Sequence, residues 1–233
     1  PSGSRIGVVF NGSPMFTGDS GSGESEIRKW IIENDWLETI VQLPDSMFFN
    51  TGITTYLWIV TNKKSLDRKG KIQLIDSSSH FGILKKKLGD KRKEITKESL
   101  NEIVNSYLEF KNDETSKIYI NSHFGYTKVR VEQPVIENGE IKRLKNGDPK
   151  PDTKLRDHER IPFSISVDEY YKTEVKRHLP DSWMDRSKDK LGYEINFLKE
   201  FYKYQPLKKS ESIKESLFNL DKEIRENLEE LNK

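Results

Sequence analysis

The chain has 233 residues, of which 33% are hydrophobic and 33% charged, with a formal net charge of +2 and no cysteine. The lack of cysteine excludes disulfides and thiolate zinc sites and favours a reducing compartment, and no apolar run approaches the ~20 residues of a membrane span. The composition therefore predicts a cytoplasmic protein without a membrane segment, built as one large domain or a domain with an appendage, whose peripheral segments need a partner.

The first predicted elements alternate between strand and helix. RIGVVF (5–10) is a short apolar run typical of a buried strand, and a flexible Gly/Ser-rich segment (17–23) precedes the helix that contains IRKWII. WLETIVQL (36–43) and TTYLWIVTN (54–62) predict two further strands. The second is apolar on both faces, so we expect both of its faces to be covered, as in a layered α/β sheet.

The loop 44–53 places two phenylalanines in front of the most hydrophobic strand. Thr51-Gly52 permits a tight entry into that strand. We expect a structural role for the rings, with Phe48 and Phe49 pinning the loop over a helix. The alternative is that this loop approaches DNA.

A basic segment lies between the next strand and helix. KIQLIDSS (71–78) predicts a strand, ITKESLNEIVNSYLEF (95–110) predicts a helix, and residues 63–97 hold twelve Lys or Arg against four acids. Such a segment can lie against phosphates, although a solvated face is the alternative. The candidate DNA-binding cations are Lys85, Lys86, Lys87, Lys91, Arg92 and Lys93. The predicted sheet has only a few strands, and one of them is expected to be covered on both faces. This indicates that the sheet is part of a larger one.

The sequence pattern changes beyond residue 116. Alternation around Asn138-Gly139 predicts a two-residue hairpin in an outer β-ribbon. A short helix over 169–179, an irregular stretch over 180–206 and a long helix over 210–231 complete the chain. These elements predict three parts, listed in chain order: an α/β part (1–116), a β-ribbon insertion (117–166) and a helical extension for subunit assembly (167–233).

The last helix carries an apolar seam. Its members step by three or four residues and are Ile213, Leu217, Leu220, Ile224, Leu228 and Leu231. This spacing is typical of a helix that packs on another helix, and a helix of this length is not stable alone in water. We therefore expect the helix to dock on the rest of this chain or on a partner, with Leu217, Leu220 and Ile224 in the contact.

Several blocks in order resemble one protein family. They are RIGVVFNGSPMF, ESEIRKWIIEN, LPDSMFFNTGITTYLWIVTNKK, KGKIQLIDSS, KRKEITKESLNEIVNSY, FGYTKVRVEQPV, LRDHERIPF and the ending from EVKRHLPDSW onward. These blocks are similar to consecutive parts of the modification (M) subunit of type I restriction-modification systems, an N6-adenine DNA methyltransferase. The resemblance covers nearly the whole chain.

This resemblance implies a fold and a reaction. The fold is α/β, the C-terminal part of a doubly wound Rossmann-like sheet, with 36–43 and 54–62 as an antiparallel edge pair. The intact enzyme transfers a methyl group from S-adenosylmethionine to N6 of an adenine flipped from the duplex. The implied partners are DNA, the specificity (S) subunit, the restriction (R) subunit and a second copy of the M subunit.

Two motifs of such methyltransferases are missing. None of the nine prolines belongs to an Asn-Pro-Pro-aromatic motif, and no Gly-rich turn follows a strand with an acid at the right interval. We therefore expect a fragment that has no catalytic or cofactor-binding residues, binds no cofactor and is inactive alone. The histidines are scattered without metal-ligand spacing, so no metal site is predicted.

The segment after the first strand is the candidate for contact with the substrate. Strand ends at the carboxyl side of an α/β sheet line the ligand crevice, and Phe16 lies just beyond such an end. Phe16 is our candidate for stacking on the flipped base, and the alternative is that it caps the core. The competing function for the whole chain is a non-catalytic DNA- or protein-binding module.

Overall fold

The computed structural model describes residues 3–204, 206–207 and 209–231, with side chains as far as residue 228. Its helices are α1 (Gly23–Glu33), α2 (Lys97–Glu109), α3 (Val167–Tyr170), α4 (Phe197–Glu200) and α5 (Ser210–Leu231). Its strands are β1 (Arg5–Phe10), β2 (Leu37–Gln42), β3 (Tyr56–Thr61), β4 (Lys71–Asp76), β5 (Gly82–Leu88), β6 (Lys91–Glu94), β7 (Ser116–Ile120), β8 (Gly125–Glu132), β9 (Ile136–Glu137), β10 (Glu140–Ile141), β11 (Asp157–Pro162) and β12 (Trp183–Tyr193). The chain divides into two compact units between Phe201 and Tyr202.

The main sheet has five strands in the order β1-β3-β2-β4-β7. β2 and β3 pair antiparallel, which confirms the predicted pairing, while β2 and β4 are parallel. The predicted position of this pair at the sheet edge is wrong, because β1 pairs with the far side of β3 and β4 with the far side of β2. The resulting mixed α/β sheet confirms the expected fold class.

Two apolar layers cover the sheet. On one face Ile40, Trp58 and Leu74 belong to the larger cluster, and on the other Val41, Leu57 and Ile75 pack with residues of α2. β3 contributes to both layers through alternate side chains, which confirms that it is covered on both faces. The free energy of this burial, about 25 cal/mol per Å² of apolar surface, stabilises the sheet.

β1 departs from the prediction of a buried strand. Ile6 is 61% exposed and Val9 47% exposed. In the described part of the chain β1 is the terminal strand of the sheet, paired only with β3. The apolar character of β1 is therefore not satisfied by contacts within these residues.

A second, three-stranded antiparallel sheet follows in the order β11-β8-β12. β12 corrects the prediction of an irregular stretch over 180–206. The predicted hairpin is present in β9 and β10, with Asn138 and Gly139 at φ values of 53° and 83°, as a type I′ turn requires. The boundaries at 116 and 166 stay a prediction, although β8 and β11 pair with β12 from the third predicted part.

A buried charged network lies at one face of β2. The Glu38 carboxylate accepts hydrogen bonds from Arg5 Nε at 2.8 Å and from the Tyr107 hydroxyl at 3.1 Å, and lies 4.0 Å from Arg68. Arg68 also donates to Gln73 Oε1 at 3.0 Å and lies over the Tyr107 ring. Glu38 and Arg68 are both buried, so each needs these partners.

The second unit contains the predicted terminal helix, α5, over Ser210–Leu231. Ile213, Leu217, Leu220, Ile224 and Leu228 are all between 46% and 61% exposed, and Leu231 lies outside the residues with described side chains. None of the helices in the described ranges is long and apolar enough to cross a bilayer.

Candidate nucleic-acid interface

Three loops meet at one edge of the main sheet. β1 and β2 are both antiparallel to β3, and β2 is parallel to β4, so β1, β2 and β4 all end at the same edge. In open α/β sheets this carboxyl edge is where ligands bind. The loops that follow these strands carry the sequence-predicted Phe16, the 44–53 loop and the basic segment.

Phe16 is presented outward. A 3-10 turn over Ser13–Met15 buries Met15 in the core, and Phe16 at its end is 54% exposed. The ring lies close to Gly12, where an added Cβ would lie 3.6 Å from it. Phe16 therefore does not cap the core, and its role in stacking on a base stays a prediction.

A buried arginine holds the turn in place. Arg28 of α1 donates from Nη1 to the carbonyl oxygens of Pro14 at 2.9 Å and Thr17 at 3.1 Å, and from Nε to the Tyr193 carbonyl oxygen. Burial lowers the pKa of this guanidinium. Arg28 thus ties α1, the turn before Phe16 and β12 together.

The Gly/Ser-rich segment 17–23 is anchored as well. Asp19 forms ion pairs with Lys128 and, at 3.5 Å, with Arg160. The Lys128 hydrogen bond leads the interactions that lower the pKa of the Asp19 carboxyl group. Ser22 caps α1 by accepting from the Ser25 backbone nitrogen at 3.4 Å.

The six predicted cations form a β-hairpin, β5–β6, that sequence reasoning did not foresee. Ser46 accepts backbone hydrogen bonds from Arg92 at 2.9 Å and Lys93 at 3.3 Å, and Phe49 accepts one from Asp90 at 2.9 Å. The 44–53 loop is therefore packed against this hairpin.

The phenylalanine at the tip of this loop contacts the hairpin. Lys91 Nζ lies 5.4 Å from the centre of the Phe49 ring, which is 58% exposed. This contact places Phe49 against β6, and the expectation that Phe48 and Phe49 pin the loop over a helix stays a prediction. Lys93 is engaged by Asp45 and by the ring of Phe81. Exposed cations remain at Lys85, Lys86, Lys87 and Arg92.

The second sheet carries cations that sequence reasoning missed. Lys128 and Arg130 alternate with the buried Val129 and Val131 on β8, so both side chains lie on the face away from the core. The alternation in YTKVRVE was the available signal.

A cavity of about 430 Å³ lies beside β1 and α1. Apolar side chains, including Val8, Trp58 and Ile31, line most of it, with Asn11, Glu24 and Arg28 as the charged or amide groups. This lining does not fit S-adenosylmethionine, because it offers no Gly-rich strand-end turn and no Asn-Pro-Pro-aromatic motif. Among the described residues, no group of three or more His, Asp or Glu is placed to hold a metal ion.

The fold is that of an open α/β sheet, the class of protein that places its ligand site at the carboxyl ends of the parallel strands, and here exposed aromatic rings and cations follow those ends. Comparison with known protein families identifies the family to which the chain belongs. The profile of the family described as N-6 DNA Methylase matches residues 1–146, so the chain belongs to that family.

The chain is similar to methylase subunits of type I restriction enzymes. It is 30% identical over 199 residues to the MjaIX methylase subunit of Methanocaldococcus jannaschii, and the match covers 83% of this chain and 33% of that protein. It is 36% identical over 77 residues to the HindI methylase subunit of Haemophilus influenzae, covering 33% of this chain and 16% of that protein. The chain thus spans a third or less of the length of these relatives.

A solved structure is also similar. The type I restriction-modification methyltransferase subunit from Streptococcus thermophilus is 25% identical, with a TM-score of 0.44, over 52% of this chain and 24% of that one.

Proposed function

We propose that this chain is part of the DNA-modification subunit of a type I restriction-modification system, whose intact form transfers a methyl group from S-adenosylmethionine to N6 of adenine in DNA. The family match over residues 1–146 is the observation that carries this proposal. The relatives from Methanocaldococcus and Haemophilus, both methylase subunits of type I restriction enzymes, support it.

The exposed β1 and the apolar cavity beside it support a division of labour within the intact protein. β1 is an apolar terminal strand with exposed side chains on both faces. A neighbouring strand and a covering layer would bury these groups, as in the interior of an α/β sheet. Because the residues here do not fit the cofactor, we propose that the donor pocket lies elsewhere in the intact protein and that this chain alone is inactive.

Calorimetry with S-adenosylmethionine tests this division. The 233-residue chain is expected to show no binding, whereas a longer protein that contains an Asn-Pro-Pro-aromatic motif is expected to bind. Methylation of duplex DNA by the two proteins is measured in parallel. Micromolar binding or methyl transfer by the shorter chain would refute the proposed location of the pocket. A longer protein that binds the cofactor but never methylates adenine would refute the proposed activity.

The hairpin β5–β6 is proposed to contact the DNA backbone. Lys85, Lys86 and Lys87 are exposed on β5, and Lys91 on β6 lies beside the exposed Phe49 ring. Lysines of this kind bind phosphates without reading sequence. Replacing Lys85, Lys86 and Lys87 by Gln is expected to weaken binding to all duplex sequences alike. The slope of log K against log salt is expected to fall by about 0.9 for each phosphate that the variant no longer neutralises.

A cofactor-free binding module is the second candidate, and the basic hairpin favours it. In that case the longer protein would bind DNA through the same lysines but would not methylate it. The methylation assay therefore separates the two functions, because both predict the same loss of binding in the hairpin variant.

We propose that α5 joins this chain to other subunits in the cytoplasm. The S subunit, the R subunit and a second M subunit are the partners of such a system. The exposed seam of α5, with Leu217, Leu220 and Ile224, supports this role, since an amphipathic helix of this length needs a packing partner.

A further inference from the structure

The face of the second sheet that carries Lys128 and Arg130 collects cations from three strands. In the antiparallel register Lys128 lies opposite Arg160 and Lys190, and Arg130 lies opposite His158. Directly opposite residues of an antiparallel pair share a face, and like charges placed there repel. Anions stabilise such a row, and Asp19, Asp185 and Glu194 of the chain itself supply part of them.

A cavity of about 380 Å³ opens on this face. It is lined by Lys128, Arg130, His158, Ser187, Lys188, Asp189 and Lys190. Ser187, Lys188 and Asp189 reach it because β12 bulges between Asp185 and Lys190. The bulge places an extra loop of strand beside the cations, as bulges at binding sites do.

One donor of a residue that lines this cavity is without a hydrogen bond. Arg130 Nε is buried and makes no hydrogen bond, although Nη1 of the same residue lies 3.6 Å from Asp185 and 3.9 Å from Glu132. A buried donor without a partner costs about 1 to 3 kcal/mol. An oxyanion in the cavity would supply the missing acceptor.

Acidic groups pair with several cations around the site, while the cavity lining itself holds four Lys or Arg against one Asp. Asp189 is paired with Arg186 at 2.6 Å, Asp19 with Lys128, and Glu194 with Arg160 at 2.9 Å. Asp189 Oδ1 is itself buried without a hydrogen-bond donor. Lys188 and Lys190 are exposed and face the opening.

We propose that this cavity binds a phosphate group of the DNA backbone, as a second contact besides the hairpin; the choice of DNA rests on the proposed function. Arg130 and Lys128 bind the phosphate oxygens, and Lys188 and Lys190 neutralise its charge. Phosphate also occurs as a free ion, and the shared chemistry is a tetrahedral oxyanion with several acceptor oxygens.

The segment 17–23 links this site to the carboxyl edge of the main sheet. Asp19 pairs with Lys128, and a Cβ added at Gly21 would lie 3.3 Å from Lys190 Nζ. The segment that precedes α1 therefore lies beside the cavity. Asp19 competes with phosphate for Lys128.

Substitution of the two exposed lysines tests the site. In the 233-residue chain, Lys188→Gln with Lys190→Gln is expected to lower the slope of log K against log salt for duplex DNA by about 0.9, the value for the one phosphate that the variant no longer neutralises. Lys145→Gln with Lys172→Gln changes the net charge equally and is expected to leave the slope unchanged. Equal slopes for both double variants would overturn the site.

Asp19→Asn gives a test in the opposite direction. Removal of the competing carboxylate is expected to tighten DNA binding by about twofold to fivefold, the size of one exposed ion pair. Unchanged or weaker binding by this folded variant would count against the proposal.

His158 reports on the ligand directly. Its pKa is lowered by partial burial and by Lys128 and Arg130, with Asp157 and Asp19 acting in the opposite direction. A phosphate in the cavity is expected to raise this pKa, as followed by NMR of the imidazole ring with duplex DNA and with inorganic phosphate as separate probes. A rise with inorganic phosphate and none with DNA would assign the cavity to a free anion. No rise with either probe would overturn it.

These outcomes separate the site from the proposed function. DNA binding that depends on the hairpin lysines but not on Lys188 and Lys190 rejects this site and leaves the proposed function intact. Failure of the longer protein to methylate adenine rejects the proposed function whatever these variants do.

Discussion

Glu38→Gln is expected to destabilise the first unit by about 3 kcal/mol. The substitution keeps the shape and the acceptor for Tyr107 but removes the charge that faces the buried Arg68 at 4.0 Å. A charge pair at this distance is worth about 4 kcal/mol at an effective dielectric constant of about 20. Arg5 is half exposed and adds about 0.2 to 1 kcal/mol. The neutral glutamine also avoids the free-energy cost of burying a charge. This gain reduces the net loss of stability below the sum of the two ion-pair contributions.

Urea unfolding followed by tryptophan fluorescence measures this loss. Glu137→Gln is the matched control, because it removes an equivalent charge from an exposed pair with Lys142 at 2.6 Å. Its unfolding midpoint is expected to stay where it is. A loss below about 1 kcal/mol in Glu38→Gln would mean that Arg68 is satisfied by Gln73 and the aromatic rings without the carboxylate, and would refute the reasoning.

Acid unfolding checks the same network. Burial acts to raise the pKa of Glu38, but the hydrogen bonds and charge of Arg5 outweigh it, so the pKa lies below the ordinary 4.5. A lowered pKa in the folded state gives stability that is present above 4.5 and is lost as the pH falls through the folded value. The difference in unfolding free energy between wild type and Glu38→Gln is therefore expected to shrink below that pH. A constant difference would contradict the assignment.

Replacing Leu217, Leu220 and Ile224 by Asp is expected to abolish assembly through α5 while the circular dichroism of the first unit stays unchanged. Co-purification with an S subunit and light scattering measure assembly. Intact assembly of this variant would contradict the proposed role of α5. Gly192→Ala is expected to destabilise the second sheet by about 1 to 3 kcal/mol, because the added Cβ would lie 2.6 Å from the Oη of the buried Tyr126. Thermal unfolding measures the second effect, and an unchanged midpoint would show that the ring can move.

The pairing of β2 with β3 could be predicted because the family resemblance implies an antiparallel pair and the two apolar runs supply its strands. The double coverage of β3 followed from its unbroken run from Tyr56 to Val60. The same reasoning failed for β1. The run RIGVVF is as apolar as a buried strand, but Ile6 and Val9 stay exposed among the described residues.

β5, β6 and β12 were missed for a different reason. GILKKKL and WMDRSKDKLGY lack the alternation of a half-buried strand, because their side chains face solvent and β12 is interrupted by a bulge. The hairpin depends on backbone hydrogen bonds to Ser46 and Phe49, which lie about forty residues earlier in the chain. The local sequence pattern of a strand does not reveal such long-range contacts.

The cations of the second sheet could not be found as a run. Lys128, His158 and Lys190 lie about thirty residues apart in sequence, and only the register of β8 with β11 and β12 brings them together. By contrast, the lysines of β5 were found because they are consecutive. Whether either set binds DNA stays a prediction.

The terminal position of β1 has a practical consequence. The outer side of this strand presents backbone amide and carbonyl groups that no neighbouring strand pairs with in the described residues, and Arg5 is its only charged residue. Another extended chain can form hydrogen bonds with such an edge. Two copies joined there form a continuous sheet, and further association leads to precipitation. A host that makes this segment by itself is therefore expected to collect it in inclusion bodies, and a strand supplied in trans to that edge is expected to prevent this.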